Sequence, residues 1–330
     1  MNYRRFGKTG LQISETGFGA WAIGGAAKVG DLPIGWGTSD DRVSLEALQT
    51  AFEQGINFYD TADFYSLGHS EELIGKAFGN SDKVIIASKV GQKPGKTKPV
   101  DIDYSKSYVL QACEASLKRL QRDQVDYYQL HVAQLQHLQQ GDCIDAMQTL
   151  KEQGKIRYWG ISLSTYNPFP EAEYMMLHQL GDGFQLVFNV INQVALPLLA
   201  KMQEKEYGII ARMPLQFGLL TGKFNPSTRF DETDHRSFRL NPEIIQSTNI
   251  LVDKLQPLAD KYGMTKTAFA FSFIFSFPEI TTIIPGIRTP EQAITNSHPV
   301  PVLSREDKQK VVDMFDADFA PLLKQMQLLG

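Results

Sequence analysis

The sequence predicts an α/β fold, a (β/α)8 TIM barrel, as a single domain over residues 1–330 with an N-terminal β-hairpin and a C-terminal helical tail. Eight short apolar runs with strand character occur along the chain, and a stretch with helical spacing follows each of them. No linker rich in Pro, Gly or Ser divides the 330 residues, which suffice for one large barrel. Eight such units in one domain favour a closed parallel barrel over an open doubly wound sheet.

The elements follow in order from local patterns. Apolar residues around the turn Gly7-Lys8-Thr9-Gly10 predict a hairpin over residues 3–13. Short apolar runs predict strands at 15–19, 56–60, 84–89, 125–131, 156–162, 183–187, 208–213 and 281–284. Helical spacing predicts helices at 42–54, 70–78, 105–120, 143–153, 170–179, 196–205, 242–262, 265–275 and 290–296, and a helical tail at 305–326. The segments 24–41 and 214–241 fit neither pattern and are predicted to be loops.

The composition excludes several classes of protein. With 42% hydrophobic and 21% charged residues, the chain is typical of a globular protein with a large core. A net charge of −4 and the lack of a dense Lys/Arg run argue against a nucleic-acid partner. Cys113 and Cys143 lack metal-ligand spacing, so we expect buried free thiols and no metal site. Without a signal peptide or a long apolar segment, the chain is predicted to be cytoplasmic and to have no membrane partner. The acidic balance and the lack of a clear exposed apolar stripe favour a monomer over an oligomer.

Two glycine motifs do not indicate nucleotide binding. Residues 17–22 match G-x-G-x-x-A, but a loop follows them instead of the helix whose N-terminus would face a pyrophosphate. Residues 91–97 resemble a phosphate-binding loop but have three residues between the glycines where four are needed. We expect this second segment to be a mobile loop after the third strand.

Polar side chains stand at the carboxyl ends of consecutive predicted strands. Asp60, Lys89 and His131 end the second, third and fourth strands, and Tyr65 lies on the loop after Asp60. Because active sites of such barrels lie at the C-terminal ends of the strands, we expect these side chains to converge. Each residue also has an alternative role when it is considered alone. Asp60 would cap a loop and Lys89 would extend to solvent. His131 would be a core residue with its hydrogen bonds made, and Tyr65 would fill a surface groove. A single site accounts for all four.

The same residues carry a resemblance to a known family. The segments concerned are Asp60-Thr61-Ala62-x-x-Tyr65, Ser70-Glu71, Ser88-Lys89, Leu130-His131, Gly160-Ile161-Ser162 and Ile284-Pro285-Gly286. Their order from about Gly17 to Asn296 resembles that of the aldo-keto reductase family. That family folds as a (β/α)8 barrel and reduces carbonyl compounds with a nicotinamide cofactor. The resemblance implies a catalytic tetrad of Asp60, Tyr65, Lys89 and His131.

The chemistry suits these residue types. Hydride addition to a carbonyl leaves charge on oxygen, so a proton donor is needed there. We expect Tyr65 to be that acid and the ammonium of Lys89 to lower the pKa of its phenol, ordinarily about 10. Asp60 is expected to hold Lys89 charged and in place, and His131 to orient the substrate oxygen through a hydrogen bond.

The resemblance also implies residues that bind the cofactor. Ser162 and Gln185 are expected to bind the nicotinamide carboxamide, although Leu163 stands where the family often has Asn. Arg212 stands where many members place an aromatic ring, and a planar guanidinium can also stack. The alternative for Arg212 is an ion pair at the barrel rim.

Further along the chain, four residues resemble the family's segment that holds the adenosine 2′-phosphate and adenine. They are Gly286, Arg288, Gln292 and Asn296. This resemblance implies NADPH (NADP+) as the cofactor. The loop of residues 215–241, hereafter the lid loop, is expected to cover the pyrophosphate, with Leu215 and Lys223 as cofactor contacts and with Arg229, Arg236 and Arg239 as its further basic residues. A merely solvated basic loop is the alternative. Trp21 and Phe64 are expected to line the substrate pocket, although a plain packing role also fits Trp21.

Three functions remain open from the sequence. The first is an NADPH-dependent oxidoreductase that reduces aldehydes or ketones, with a small-molecule carbonyl compound as substrate. The second is a nucleotide-binding regulatory subunit, because channel-associated β subunits resemble the same family. The third retains the barrel and makes Lys89 a Schiff-base nucleophile, as in aldolases.

Overall fold

Eight parallel strands form one sheet in which each strand pairs with the next along the chain. The computed structural model describes residues 1–95 and 99–329. The strands are β1 Phe18–Gly19, β2 Phe58–Asp60, β3 Ile85–Val90, β4 Val125–His131, β5 Ile156–Ser162, β6 Gly183–Val187, β7 Gly208–Arg212 and β8 Thr282–Ile284. The sheet closes where Gly17 N donates to Ile283 O (2.8 Å) and Gly19 N to Pro285 O (2.9 Å). The predicted (β/α)8 barrel is therefore confirmed.

One helix follows each barrel strand and packs on the outside of the sheet. These helices are Asp41–Glu53, His69–Phe78, Lys106–Leu120, Asp142–Glu152, Phe169–Leu177, Leu196–Glu204, Lys266–Phe275 and Pro290–Ser297. The first begins where Asp40 Oδ1 accepts hydrogen bonds from the backbone N–H groups of Arg42 and Val43, which satisfies two otherwise unpaired donors. Its apolar residues at helical spacing, Ala47, Leu48 and Ala51, are fully buried in the main core.

The N-terminal hairpin pairs Tyr3–Arg5 with Gln12–Ser14. It closes the end of the barrel at which the strands begin, hereafter the lower end. Phe6 is fully buried, and its ring lies 5.0 Å from that of Tyr127 inside the barrel. Glycine is required opposite this ring, because a Cβ added at Gly208 would lie 2.2 Å from it. Apolar side chains and the ring of Tyr127 therefore fill the lower end of the barrel.

Three predicted elements differ in the structure. The helix predicted at 242–262 is two helices, Pro242–Asp253 and Gln256–Lys261, because Pro257 lacks the N–H that a continuous helix needs. The predicted tail is Arg305–Met314 and Ala320–Leu328, joined by the π-helical turn Phe315–Phe319. In the first predicted strand, only Phe18–Gly19 has regular ladder pairing.

The loops contain structure that their sequences did not indicate. The predicted loop 24–41 includes a hairpin of Lys28–Val29 with Leu32–Pro33. After β3, Gln92–Pro94 pairs with Val100–Ile102, while Lys96 and Thr97 of the predicted mobile loop lie outside the described residues. The helix Leu135–Gln140 was not predicted, and the lid loop contains the 3-10 turn Gln216–Thr221 and the short helix Arg236–Arg239.

Both cysteines are buried free thiols, as predicted. Within residues 1–95 and 99–329, no helix has the length and apolar character needed to cross a bilayer.

Candidate active site

The alternation of the strands places a polar layer near the upper end of the barrel. Successive residues of a strand point to opposite faces, so Ala87 and Lys89 of β3 share the inner face. Lys89 pairs in register with Gln129 of β4, just as Ala87 pairs with Tyr127 one layer below. The lower layer is apolar apart from the buried hydroxyl of Tyr127, and the upper layer carries Lys89 and its polar neighbours.

Lys89 lies at the centre of this layer with no exposed surface. Its ammonium donates to Asp60 Oδ1 at 2.5 Å, to Thr61 O at 2.8 Å and to Tyr65 OH at 3.0 Å. These acceptors use all three of its N–H bonds. Burial is the largest single influence and would lower the pKa of Lys89, but the charges and hydrogen bonds of Asp60 and Tyr65 together outweigh it and raise the pKa above its ordinary value. The Lys89 side chain is therefore positively charged and fixed in position.

Asp60 is held from its other side by two amides. Its Oδ2 accepts from Gln185 Nε2 at 2.7 Å and from Gln129 Nε2 at 3.1 Å. Gln185 Oε1 in turn accepts from Ser162 Oγ at 3.3 Å. Gln129 was missed from the sequence, although it lies two residues before His131 and therefore on the same face of β4. The carboxylate is thus fixed by partners from three different strands.

Tyr65 begins a 3-10 turn, Tyr65–Gly68, in the loop after β2. The next two residues, Ser66 and Leu67, have φ of 47° and 54°. For residues with a side chain this left-handed conformation costs energy, and such residues are frequent at functional sites. The Tyr65 ring stacks on Trp21 with centroids 5.6 Å apart and meets the edge of His131 at 5.8 Å. The structure thus brings the four predicted tetrad residues together, with Trp21 beside them.

The pKa of the Tyr65 phenol is raised above its ordinary value of 10, because burial outweighs the lowering effect of the Lys89 ammonium. The net lowering expected from the sequence is therefore wrong for this structure. The lowering contribution of Lys89 is present, but removal of the phenol from water has the larger effect. At neutral pH, Tyr65 retains its proton.

His131 is a neutral imidazole. Burial lowers its pKa well below the ordinary value, and the nearby Lys89 and Arg212 cations lower it further. Its buried Nδ1 has no hydrogen-bond partner in the described part of the chain. The next residue, Val132, has a φ of 65°, an outlier for a β-branched side chain. One ring nitrogen of a neutral imidazole carries a proton, so His131 can donate a hydrogen bond.

Arg212 ends β7 and turns its guanidinium toward β5. Its Nη2 donates to Leu163 O and Thr165 Oγ1, both at 3.1 Å, and its buried Nε has no partner among the described residues. The ion pair considered from the sequence is not formed with any described carboxylate. Leu163 is fully buried in the core. Leu163 therefore occupies a packing position in this chain.

Three cationic side chains, Lys223, Arg236 and Arg288, lie near one another beyond the end of β8. Arg288 donates to Trp36 O at 3.2 Å and to Thr38 O at 2.6 Å. Burial lowers the pKa of Lys223, and the neighbouring Arg236 and Arg288 lower it further, with only Asp234 acting in the opposite direction. A region with more cations than carboxylates is suited to bind an anion.

Of the remaining predicted cofactor residues, Gln292 contacts Arg288, and the others lie at nearby or separate points of the fold. Gln292 Oε1 accepts from Arg288 N at 2.8 Å, and Asn296 is buried on the same helix. Gly286 bridges to Gly19 at the barrel closure, and Leu215 immediately precedes the 3-10 turn of the lid loop.

An aromatic cluster joins the lid loop to the barrel mouth. The His235 ring lies 4.4 Å from Trp21, 4.9 Å from Trp36 and 5.1 Å from Phe217. The sequence did not identify Trp36 or His235, since their contact depends on two loops far apart in the chain. Phe64 does not join this cluster; it packs with Val29 and Ile34 in a separate group.

Comparisons with known proteins agree with the fold. The Aldo/keto reductase family model matches residues 15–313. Aldo-keto reductase YhdN of Bacillus subtilis (strain 168) is 30% identical over 302 residues, which cover 88% of this chain and 86% of that protein. A probable voltage-gated potassium channel subunit beta of Arabidopsis thaliana is 28% identical, with 92% of each chain covered. The solved structure of glycerol dehydrogenase from Gluconobacter oxydans matches with a TM-score of 0.75 and 26% identity over 93% of both chains.

Proposed function

The chain belongs to the aldo/keto reductase family of oxidoreductases, and we propose that it reduces aldehydes or ketones to alcohols with NADPH, using Tyr65 as the general acid. The observation that carries this proposal is the phenol of Tyr65, 3.0 Å from a fully buried ammonium and edge-on to a neutral imidazole at the barrel mouth. This arrangement supplies a proton, a charge to stabilise its loss and a hydrogen-bond donor for a carbonyl oxygen.

The proposed reaction transfers two electrons as hydride to the carbonyl carbon and one proton to the carbonyl oxygen. A reduced nicotinamide, held beside the tetrad by Arg212, Ser162 and Gln185, would supply the hydride. Tyr65, protonated at neutral pH, donates the proton, and the Lys89 ammonium then stabilises the phenolate through its existing hydrogen bond. The His131 imidazole donates a hydrogen bond that orients the carbonyl oxygen. Asp60 keeps Lys89 in position and does not itself touch the substrate.

Several observations support a phosphorylated nicotinamide nucleotide. The unpartnered Arg212 Nε and the adjoining Ser162 and Gln185 offer polar groups beside the tetrad for the nicotinamide ring and its carboxamide. The cations beyond β8, Lys223 and Arg288 among them, suit phosphate groups. The residues proposed to hold the rest of the nucleotide are Leu215, Gly286, Gln292 and Asn296. We propose that Trp21 lines the substrate pocket and that Phe64 packs against the hairpin of Lys28–Val29 and Leu32–Pro33.

The decisive experiment compares wild type with Tyr65→Phe. We expect both proteins to bind NADPH equally, by fluorescence titration, and the variant to lose roughly 100-fold to 10,000-fold in kcat with a panel of aldehydes. Unchanged kcat in the variant would remove Tyr65 from its proposed role. The Schiff-base alternative needs a neutral amine, whereas the raised pKa of Lys89 keeps that group charged.

A second candidate function follows from the similarity to the potassium channel subunit beta of Arabidopsis thaliana. A regulatory subunit would bind NADPH tightly and turn over slowly. Steady-state turnover faster than the measured rate of NADPH dissociation from the resting protein would exclude a purely sensory role. Tight binding without turnover on any aldehyde would favour the regulatory subunit instead.

A further inference from the structure

Arg239, at the end of the short helix Arg236–Arg239 in the lid loop, has an unusual environment. Its Nε is buried without a hydrogen-bond acceptor, and its guanidinium makes no hydrogen bond or ion pair in the described part of the chain. Its neighbours are the rings of Phe238 at 5.0 Å and Phe217 at 5.8 Å. Arg239 is only partly buried, and an acceptor from outside the chain would complete the hydrogen bonding of its buried N–H.

Arg239 lies on the side of the mouth that carries the proposed proton donor. Phe217 contacts Arg239 and also the ring of His235, which in turn contacts Trp21. Trp21 stacks on Tyr65. These rings form a continuous aromatic wall from Tyr65 to the guanidinium.

A second polar group, the phenol of Tyr166 on the loop after β5, lies near enough to Arg239 to feel its charge. Tyr166 follows Thr165, the residue whose hydroxyl accepts from Arg212. Arg239 and Arg212 both act to lower the pKa of the Tyr166 phenol, although burial raises it overall. This phenol has no hydrogen-bond partner within residues 1–95 and 99–329, so its O–H is free to donate to a ligand.

Arg239 is distinct from the cations assigned to the nucleotide phosphates. Arg236, three residues earlier, donates to Asp234 Oδ1 at 2.9 Å and lies 4.3 Å from the Trp36 ring. The charges that act on Lys223 are those of Arg236, Arg288 and Asp234. In the lid loop, Lys223 and Arg236 therefore lie near Arg288 beyond the end of β8, whereas Arg239 lies near Tyr166 on the loop after β5.

We propose that Arg239 and Tyr166 form a subsite for an anionic group of the substrate, so that the preferred substrates are carbonyl compounds that also carry a carboxylate. A planar guanidinium matches a carboxylate with two parallel hydrogen bonds. Because aromatic rings separate Arg239 from Tyr65, the carbonyl and the carboxylate belong at opposite ends of the substrate. This inference rests on the proposed reductase activity and specifies its substrate class.

The test compares two aldehydes of similar size that differ in charge: para-carboxybenzaldehyde and its neutral methyl ester. For wild type, we expect a higher kcat/KM with the carboxylate. In Arg239→Gln, we expect kcat/KM for the carboxylate to fall by roughly tenfold to a hundredfold, with less than about a twofold change for the ester. Arg239→Lys retains the charge but loses the planar fork, so an intermediate loss is expected.

Arg229→Gln is the matched control, since Arg229 is an exposed arginine of the same loop that donates only to backbone carbonyls. It should leave the ratio between the two aldehydes unchanged. Equal losses for both aldehydes in Arg239→Gln, or a loss confined to NADPH affinity, would overturn the subsite. The proposed reductase function would survive that result, because turnover of the neutral ester tests it independently.

Discussion

Removal of the buried ammonium of Lys89 tests how the charged layer is held together. Lys89→Met keeps a side chain of similar length but leaves the Asp60 carboxylate, almost wholly buried, with only the two amide donors of Gln129 and Gln185. Breaking one partner of a buried ion pair typically costs about 3–5 kcal/mol, because the other charge remains uncompensated. Since methionine fills most of the same volume, we expect the free energy of unfolding to fall by about that amount.

The assay is urea unfolding followed by tryptophan fluorescence, with Asp60→Asn and the double variant completing a cycle. The double variant removes both charges, so it should recover at least about 2 kcal/mol relative to Lys89→Met. Activity should fall in every variant, since the Tyr65 phenol loses either its partner or the group that positions that partner.

Two results would refute this reasoning. One is a loss below about 1 kcal/mol in Lys89→Met, within the range of an exposed ion pair. The other is an additive cycle, which would mean that Asp60 and Lys89 do not stabilise each other in the folded protein.

Two further tests concern His235 and Arg288. Burial, reinforced by Arg239, lowers the pKa of His235 from 6.5 to about 3, so the unfolded chain binds the extra proton. The free energy of unfolding should therefore fall as the pH drops below about 6.5, and His235→Phe should flatten that slope by up to about 1.4 kcal/mol per pH unit; an unchanged slope in urea titrations would contradict this. Arg288→Gln should raise the KM for NADPH roughly tenfold while leaving that for NADH unchanged. Equal effects on both nucleotides would instead indicate that Arg288 acts by bracing Trp36 and Thr38.

The barrel was predictable because its information is local. Most of the strands are apolar runs of the right length, and polar residues at or next to the ends of several, such as Lys89 of β3 and His131 of β4, mark the upper edge. The break before Gln256–Lys261 was also present in the sequence as Pro257, but the apolar spacing continues across it. Where spacing and proline disagreed, the proline determined the structure.

The mouth of the barrel was less predictable because its contacts join distant loops. Nothing in the sequence near Trp36 indicates that His235 will lie against it. Nor does the sequence show that the buried Nε of Arg239 will lack a hydrogen-bond acceptor in the described part of the chain. The pKa of Tyr65 differs from expectation for a similar reason. The sequence identifies the neighbouring Lys89 but not the extent of burial, which has the larger effect on the phenol.

The way the barrel closes has a consequence for its biosynthesis. The hydrogen bonds that join β1 to β8 connect residues near Gly17 with residues near Ile283, from opposite ends of the barrel sequence. During translation, β8 leaves the ribosome long after β1, and until then two strand edges lack their partners. Open edges of this kind can pair with other chains. A ribosome paused within the lid loop would therefore hold an unclosed sheet that is prone to aggregation and is a natural client for chaperones.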